Sequence, residues 1–157
     1  MHPYPHRYSA TANAESAGRV SVGSPGLASL ETAPPPEFGG PGGTWSPEAL
    51  LCAAVADCFI LTFRAVARAA RFEWQELECH VEGVLERVAG TSQFTRYTTM
   101  ARLGVPPGAD AERGRRLLEQ AERGCLIANS LRGTRLLEVE VVSTETVSTA
   151  RETAQID

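Results

Sequence analysis

The sequence predicts an α+β fold: an antiparallel sheet with a long central cysteine-bearing helix and a second helix. Three observations predict it. From Ser46 to Ala70 the chain is dense in Ala and Leu and, past Pro47, contains neither Gly nor Pro, the composition of a long helix. From Leu77 to Glu86 apolar and polar residues alternate, the period of a strand with one wet face. Ahead of the helix, short β-prone pieces are cut apart by Gly18, Gly23 and Pro25-Gly26, the punctuation of a small antiparallel meander.

Taken in order, residues 1–7 are expected to form a loose terminus, 8–144 a single domain, and 145–157 a polar tail. The meander draws on Tyr8–Asn13, Arg19–Val22 and Leu27–Thr32. The Pro/Gly loop from Pro34 to Thr44 reads either as a connector or as a pocket rim. Its glycines allow close backbone approach, while Phe38 and Trp45 supply apolar walls. No Gly-Lys-Ser/Thr ends it, so it is not a phosphate-binding loop.

Ser46 is a good N-cap, Pro47 suits the first helical position, and Glu48 places negative charge in the first turn. The helix is about 36 Å long at 1.5 Å per residue, and its first half is apolar nearly all round. So little remaining chain is hard pressed to cover it, so a second copy in a two-fold homodimer is expected. The strand at Leu77–Glu86 pairs with Phe94–Val105 across a turn at Ala89-Gly90-Thr91. Asp110 caps a second helix with the stripe Leu117, Leu118, Ala121 and Cys125, weakened by Gly114 and Gly124. Arg135–Ser143 is the last strand. The sum is one layer of sheet and one of helix.

Composition excludes several classes. The 157 residues carry 19 acidic and 15 basic side chains for a net charge of −4, and every basic residue is Arg. That balance speaks against a general nucleic-acid binder. No run of about 18 apolar residues and no signal peptide are legible, so no membrane association is expected and the cytoplasm is the expected compartment. The four cysteines, Cys52, Cys58, Cys79 and Cys125, form no CxxC pair and have no His three or four residues away, so no metal site is expected. In a reducing cytosol they are thiols, inert or reactive. Cys52 and Cys79 read as core packing. Cys58 and Cys125 are open to either reading from their surroundings alone.

Several segments together resemble the OsmC/Ohr family of thiol peroxidases. They are Ser46-Pro-Glu-Ala-Leu-Leu, Ala-Asp-Cys58-Phe, the Gly-Gly-Pro-Gly-Gly approach, and Ala121-Glu-Arg-Gly-Cys125-Leu-Ile-Ala-Asn129-Ser. The resemblance runs from about Tyr8 to Ser143, and the two-cysteine pattern is its specific part. It implies an OsmC-like fold, an intertwined homodimer, and two active sites at the interface. It further implies Cys58 as the peroxidatic and Cys125 as the resolving cysteine, organic hydroperoxides as substrates, and an external dithiol, lipoyl-type in the Ohr branch, as reductant. No bound cofactor is implied.

Such chemistry needs a thiolate, which burial opposes. Cys58 is about 18 Å from the N-cap at helical rise, too deep for the dipole to help. A cation is required. The family's Arg lies in the N-terminal strands, where Arg19 is the candidate; Arg64 and Arg68 are alternatives. Glu48 matches the acidic residue that orients that Arg, in cis or from the partner subunit. Phe38, Trp45 and Phe59 would favour an apolar peroxide. Two departures mark a divergent branch: Leu126 follows Cys125 where the family has Pro, and Asp57 precedes Cys58. Two other readings keep the fold: a non-catalytic dimeric binding protein for a small apolar ligand, and a redox sensor.

Overall fold

The structure, a computed structural model, describes residues 2–144; the polar tail expected at 145–157 lies outside them. The chain forms two compact units, one ending at Ala53 and one beginning at Ala54. Residues 2–10 are exposed and carry neither helix nor strand.

The first unit holds β1 (Thr11–Asn13), β2 (Val20–Gly23) and β3 (Leu30–Thr32), antiparallel in the order β1-β2-β3. The meander is as expected, but β1 and β3 are shorter than the β-prone stretches. Ser24 and Leu27 close a turn through Leu27 N–H to Ser24 O at 3.0 Å, with Gly26 at φ 78°, which shortens the third strand from its N-terminal side. The Pro/Gly loop coils on itself around a 3-10 turn at Pro36–Phe38. Gly40 N–H donates to Pro35 O at 3.0 Å, and a Cβ on Gly40 would stand 1.6 Å from Pro34 O. Only glycine fits there.

Helix α1 (Pro47–Ala69) begins in the first unit and continues into the second. Its start follows the expected capping: Ser46 Oγ accepts from Ala49 N–H at 3.2 Å. Beyond the boundary, Val55, Cys58, Phe59, Phe63 and Ala67 are buried, an i, i+3/i+4 stripe. The remainder stays open. Over an 18-residue window α1 has a mean hydropathy of 2.0, enough by length and composition to cross a membrane, yet only 22% of that window is buried.

In the second unit β4 (Glu76–Val88) and β5 (Thr91–Val105) form a hairpin. Its turn is the two residues Ala89 and Gly90, at φ 49° and 85°, the positive-φ pair that hairpin twist favours. Thr91, expected in the turn, instead pairs with Val88 as the first residue of β5. Helix α2 (Ala111–Gly124) is capped as expected by Asp110, which accepts from Arg113 N–H at 2.9 Å. A one-turn helix, α3 (Leu126–Asn129), follows, and then β6 (Thr134–Ser143).

Two expectations need correction. The strands do not make one antiparallel sheet but two three-stranded sheets, and in the second, β4-β5-β6, strand β6 runs parallel to β5. A parallel neighbour requires a crossover, and α2 with α3 supplies it. Gly114 and Gly124 do not merely weaken α2. A Cβ on Gly114 would meet Leu103 and Phe72 at 3.2 Å, and one on Gly124 would meet Thr62 Cγ2 at 3.2 Å. Close approach of α2 to β5 and α1 thus outweighs a propensity loss of about 1 kcal/mol per glycine. The unit's core is Phe59, Phe63, Leu103, Leu118, Val55 and Cys125, all fully buried; Phe63 meets Trp74 edge-on at 5.3 Å. Burial of each large side chain contributes about 1.5–3 kcal/mol.

Candidate active site

The second unit brings Cys58 and Cys125 together. Cys58 lies on the buried stripe of α1, and Cys125 is the junction residue between α2 and α3, fully buried. Its backbone at φ −65°, ψ 103° leaves the helical region, so the chain turns there and directs Cys125 into the core. Cys125 Sγ lies 3.9 Å from Val55 O, on α1 one turn before Cys58, near enough for Cys58 to help raise the Cys125 thiol. Gly124 makes this docking possible by bringing the end of α2 against Thr62. Thr62 Oγ donates its one proton to Cys58 O at 2.7 Å. The same hydroxyl lies 4.0 Å from Cys58 Sγ, where either group can donate.

Burial pushes the Cys125 thiol up to about 11, with the Cys58 and Glu122 charges adding and a backbone hydrogen bond at Ala128 opposing. Cys79, on β4, is half-buried rather than core, and its thiol is pushed up to about 12 by burial, then by Glu122 and Cys125. Cys52 is likewise half-buried.

Glu122 and Arg135 were not among the expected site residues. Arg135, at the start of β6, donates to Glu122 Oε1 from Nε at 2.8 Å and from Nη2 at 2.7 Å, and to the Glu122 carbonyl. Its Nη1 binds Asn129 Oδ1 at 2.5 Å. The guanidinium thus ties the end of α2, α3 and β6 around Cys125. The pair is shielded, with side-chain exposures of 27% for Arg135 and 13% for Glu122. Glu122 Oε2 is buried and has no hydrogen-bond partner among the described residues. The sequence signal was faint: one glutamate three positions before a cysteine, and one arginine opening a strand.

The other expected residues are divided between the two units. Arg19 is exposed, directly before β2. Glu48 belongs to the first unit, and its Oε2 is buried without a partner among the described residues. It lines an apolar cavity of about 310 Å³ with Val20, Thr32, Ala33, Phe38 and prolines 34, 35 and 47. Trp45 is half-exposed and does not line that cavity, and Phe59 is fully buried in the second unit. Arg64, Arg68 and Asp57 are exposed on α1.

Residues 40–140 match the family model described as OsmC-like protein. The chain belongs to the OsmC-like protein family. YmaD, an uncharacterized protein of Bacillus subtilis (strain 168), is 29% identical over 111 residues, 68% of this chain and 73% of YmaD. An organic hydroperoxide resistance protein of Legionella pneumophila has a similar structure, with 26% identity and a TM-score of 0.70 over 88% of this chain and 98% of that one. An OsmC-like protein of unknown function from Vibrio cholerae superposes with a TM-score of 0.79 over 87% of this chain and all of that one, at 16% identity. The OsmC-like fold expected from the sequence is therefore the fold observed.

Proposed function

We propose that this OsmC-like protein is a thiol peroxidase that reduces organic, fatty-acid-type hydroperoxides to alcohols in oxidative-stress defence. The observation that carries the reading is the docking of Cys125 Sγ against Val55 O, one turn before Cys58 on α1, with both cysteines buried. The similarity to a hydroperoxide resistance protein supports it.

Cys58 thiolate attacks the distal peroxide oxygen, the O–O bond breaks, and the alcohol leaves, giving a Cys58 sulfenic acid. Cys125 condenses with it to a disulfide and water, and an external dithiol, lipoyl-type, restores both thiols. No metal or bound cofactor takes part. Because burial opposes the charged form, the thiolate needs a cation, and Arg19 is assigned that role with Glu48 orienting it. In support, Arg19 adjoins Val20, which shares the first unit's cavity with Glu48. Apolar walls such as Phe38 suit a hydrocarbon peroxide better than hydrogen peroxide. A second copy of the chain covers the open apolar side of α1, where Leu61 is 51% exposed, making a cytoplasmic homodimer.

The test is mass spectrometry after one equivalent of cumene hydroperoxide, on wild type and Cys58→Ser. A Cys58–Cys125 disulfide, absent in the variant and reversed by dihydrolipoamide, is expected. If all four thiols stay reduced, the reading fails, and the first unit's apolar cavity makes a binding protein for a small apolar ligand the better account.

A further inference from the structure

Resting on the peroxidase reading, we infer that the Thr62 hydroxyl donates a hydrogen bond to the Cys58 thiolate, the form that attacks the peroxide. Thr62 stands one turn after Cys58 and is the single hydroxyl-bearing residue of α1. Threonine is a poorer helix former than the alanines and leucines that dominate this helix. Its Oγ1 lies 2.7 Å from Cys58 O and 4.0 Å from Cys58 Sγ. One hydroxyl therefore faces both the backbone and the sulfur of the same cysteine.

That hydroxyl has one proton and can offer it to either acceptor. While Cys58 is protonated the carbonyl is the better one, and a bond back to the residue four earlier is a common resting place for a helical threonine. Once the thiol has lost its proton to solvent, the order reverses. The sulfur then carries a full charge at a buried position, and a charge-assisted bond is about twice as strong as a neutral one. The carbonyl loses little, because helical geometry also gives it the Thr62 N–H. The exchange is a turn of the O–H about the Cβ–Oγ1 bond, and Thr62 keeps its proton throughout. No change of rotamer is needed, and α2 opposes one: a Cβ on Gly124 would stand 3.2 Å from Thr62 Cγ2.

The titratable and charged groups around this cluster are otherwise engaged. Cys125, at the junction of α2 and α3, turns its thiol to Val55 O at 3.9 Å. Cys79 on β4 keeps its proton to about pH 12. Glu122 on α2 is bound by Arg135 of β6, and Asp57 is exposed on α1.

The test is alkylation by iodoacetamide between pH 5 and 10, followed at Cys58 by site-resolved mass spectrometry, because the thiolate is the reacting form. Thr62→Val keeps the shape and loses the donor, and its rate at pH 7 is expected to fall about tenfold. At high pH, with Cys58 fully ionised, the variant should match or exceed wild type. Thr62→Ser keeps the donor and should recover most of the rate at pH 7. Sulfenic acid formation with cumene hydroperoxide should fall and recover in parallel. An unchanged profile in Thr62→Val, or a loss equal at every pH, overturns the inference and leaves Thr62 a packing residue. Thr62→Ala, easier for a helix to hold, must show the same fall, and it decides alone if Thr62→Val does not fold. If wild type is alkylated at Cys58 yet forms no sulfenic acid with the peroxide, the peroxidase reading fails, while the alkylation profile still judges Thr62.

Discussion

Among the described residues, each unit holds one glutamate with a buried carboxylate oxygen that lacks a hydrogen-bond partner, Glu48 in the first and Glu122 in the second, and the two sit at opposite ends of their helices. Glu48 occupies the first turn of α1, where exposed N–H dipoles favour negative charge. Glu122 occupies the last turn of α2, where the carbonyl dipoles oppose it. The first can stand on the helix field; the second requires the Arg135 guanidinium. A carboxylate's place on the helix therefore bears on how far it depends on a cation, and among the described residues of the single chain it is Glu122 that holds an arginine. That cation also pins the loop carrying Cys125, so the electrostatic remedy and the positioning of the thiol are one arrangement.

The largest effect should come from removing that cation. Arg135→Met leaves Glu122 charged, shielded and against the helix dipole, and is expected to cost about 3–5 kcal/mol in urea unfolding. The double variant Glu122→Leu, Arg135→Met should regain most of it, since a shielded pair replaced by apolar groups is often neutral. A loss below about 1 kcal/mol in the single variant would erase the contrast between the two glutamates. In the first unit the comparable weak point is backbone rather than charge. Gly40→Ala puts a Cβ 1.6 Å from Pro34 O, and the loop must open, at a cost of about 1–3 kcal/mol by the same measurement.

A third difference is pH. The raised thiols Cys79 and Cys125 both lie in the second unit. Up to the ordinary thiol value of 9.0, folded and unfolded chains both hold these protons and stability is undiminished. Above it the unfolded chain releases them, while the folded one retains them to about 11 for Cys125 and about 12 for Cys79. Stability then falls with rising pH by at most about 1.4 kcal/mol per unit for each thiol. Urea midpoints between pH 8 and 10.5 check this, and Cys79→Ala should make the slope shallower.

What was legible in the sequence was what local chemistry writes. The caps at Ser46 and Asp110, the positive-φ turn at Gly90 and the alternation of β4 needed no tertiary knowledge. The parallel placement of β6 was hidden because its alternation, Leu137, Val139, Val141, is the same for either direction of pairing. Gly114 and Gly124 looked like flaws because their partners, Leu103 and Phe72 on one side and Thr62 on the other, are far away in the chain. Cys58 and Cys125 were singled out through resemblance, whereas Glu122 and Arg135 were not. Nothing local distinguishes an arginine opening a strand from the other exposed arginines until the fold closes it onto a helix end.

The smallest stability effect should be at Glu48. If the helix field alone supports its carboxylate, Glu48→Gln removes a desolvation cost together with a favourable dipole interaction of about 0.3–1 kcal/mol. The net change in the unfolding midpoint should then stay within about 0.5 kcal/mol and be the same at every protein concentration. A loss of 1–3 kcal/mol would mean that a cation reaches Oε2 after all, as a hydrogen bond to a charged group is worth that much. If the loss appears at all concentrations and also in Arg19→Gln, the cation is Arg19 within the chain. A loss that grows as the protein is concentrated identifies a cation from a second copy. Either result would make the two glutamates alike in needing an arginine and different only in where it comes from.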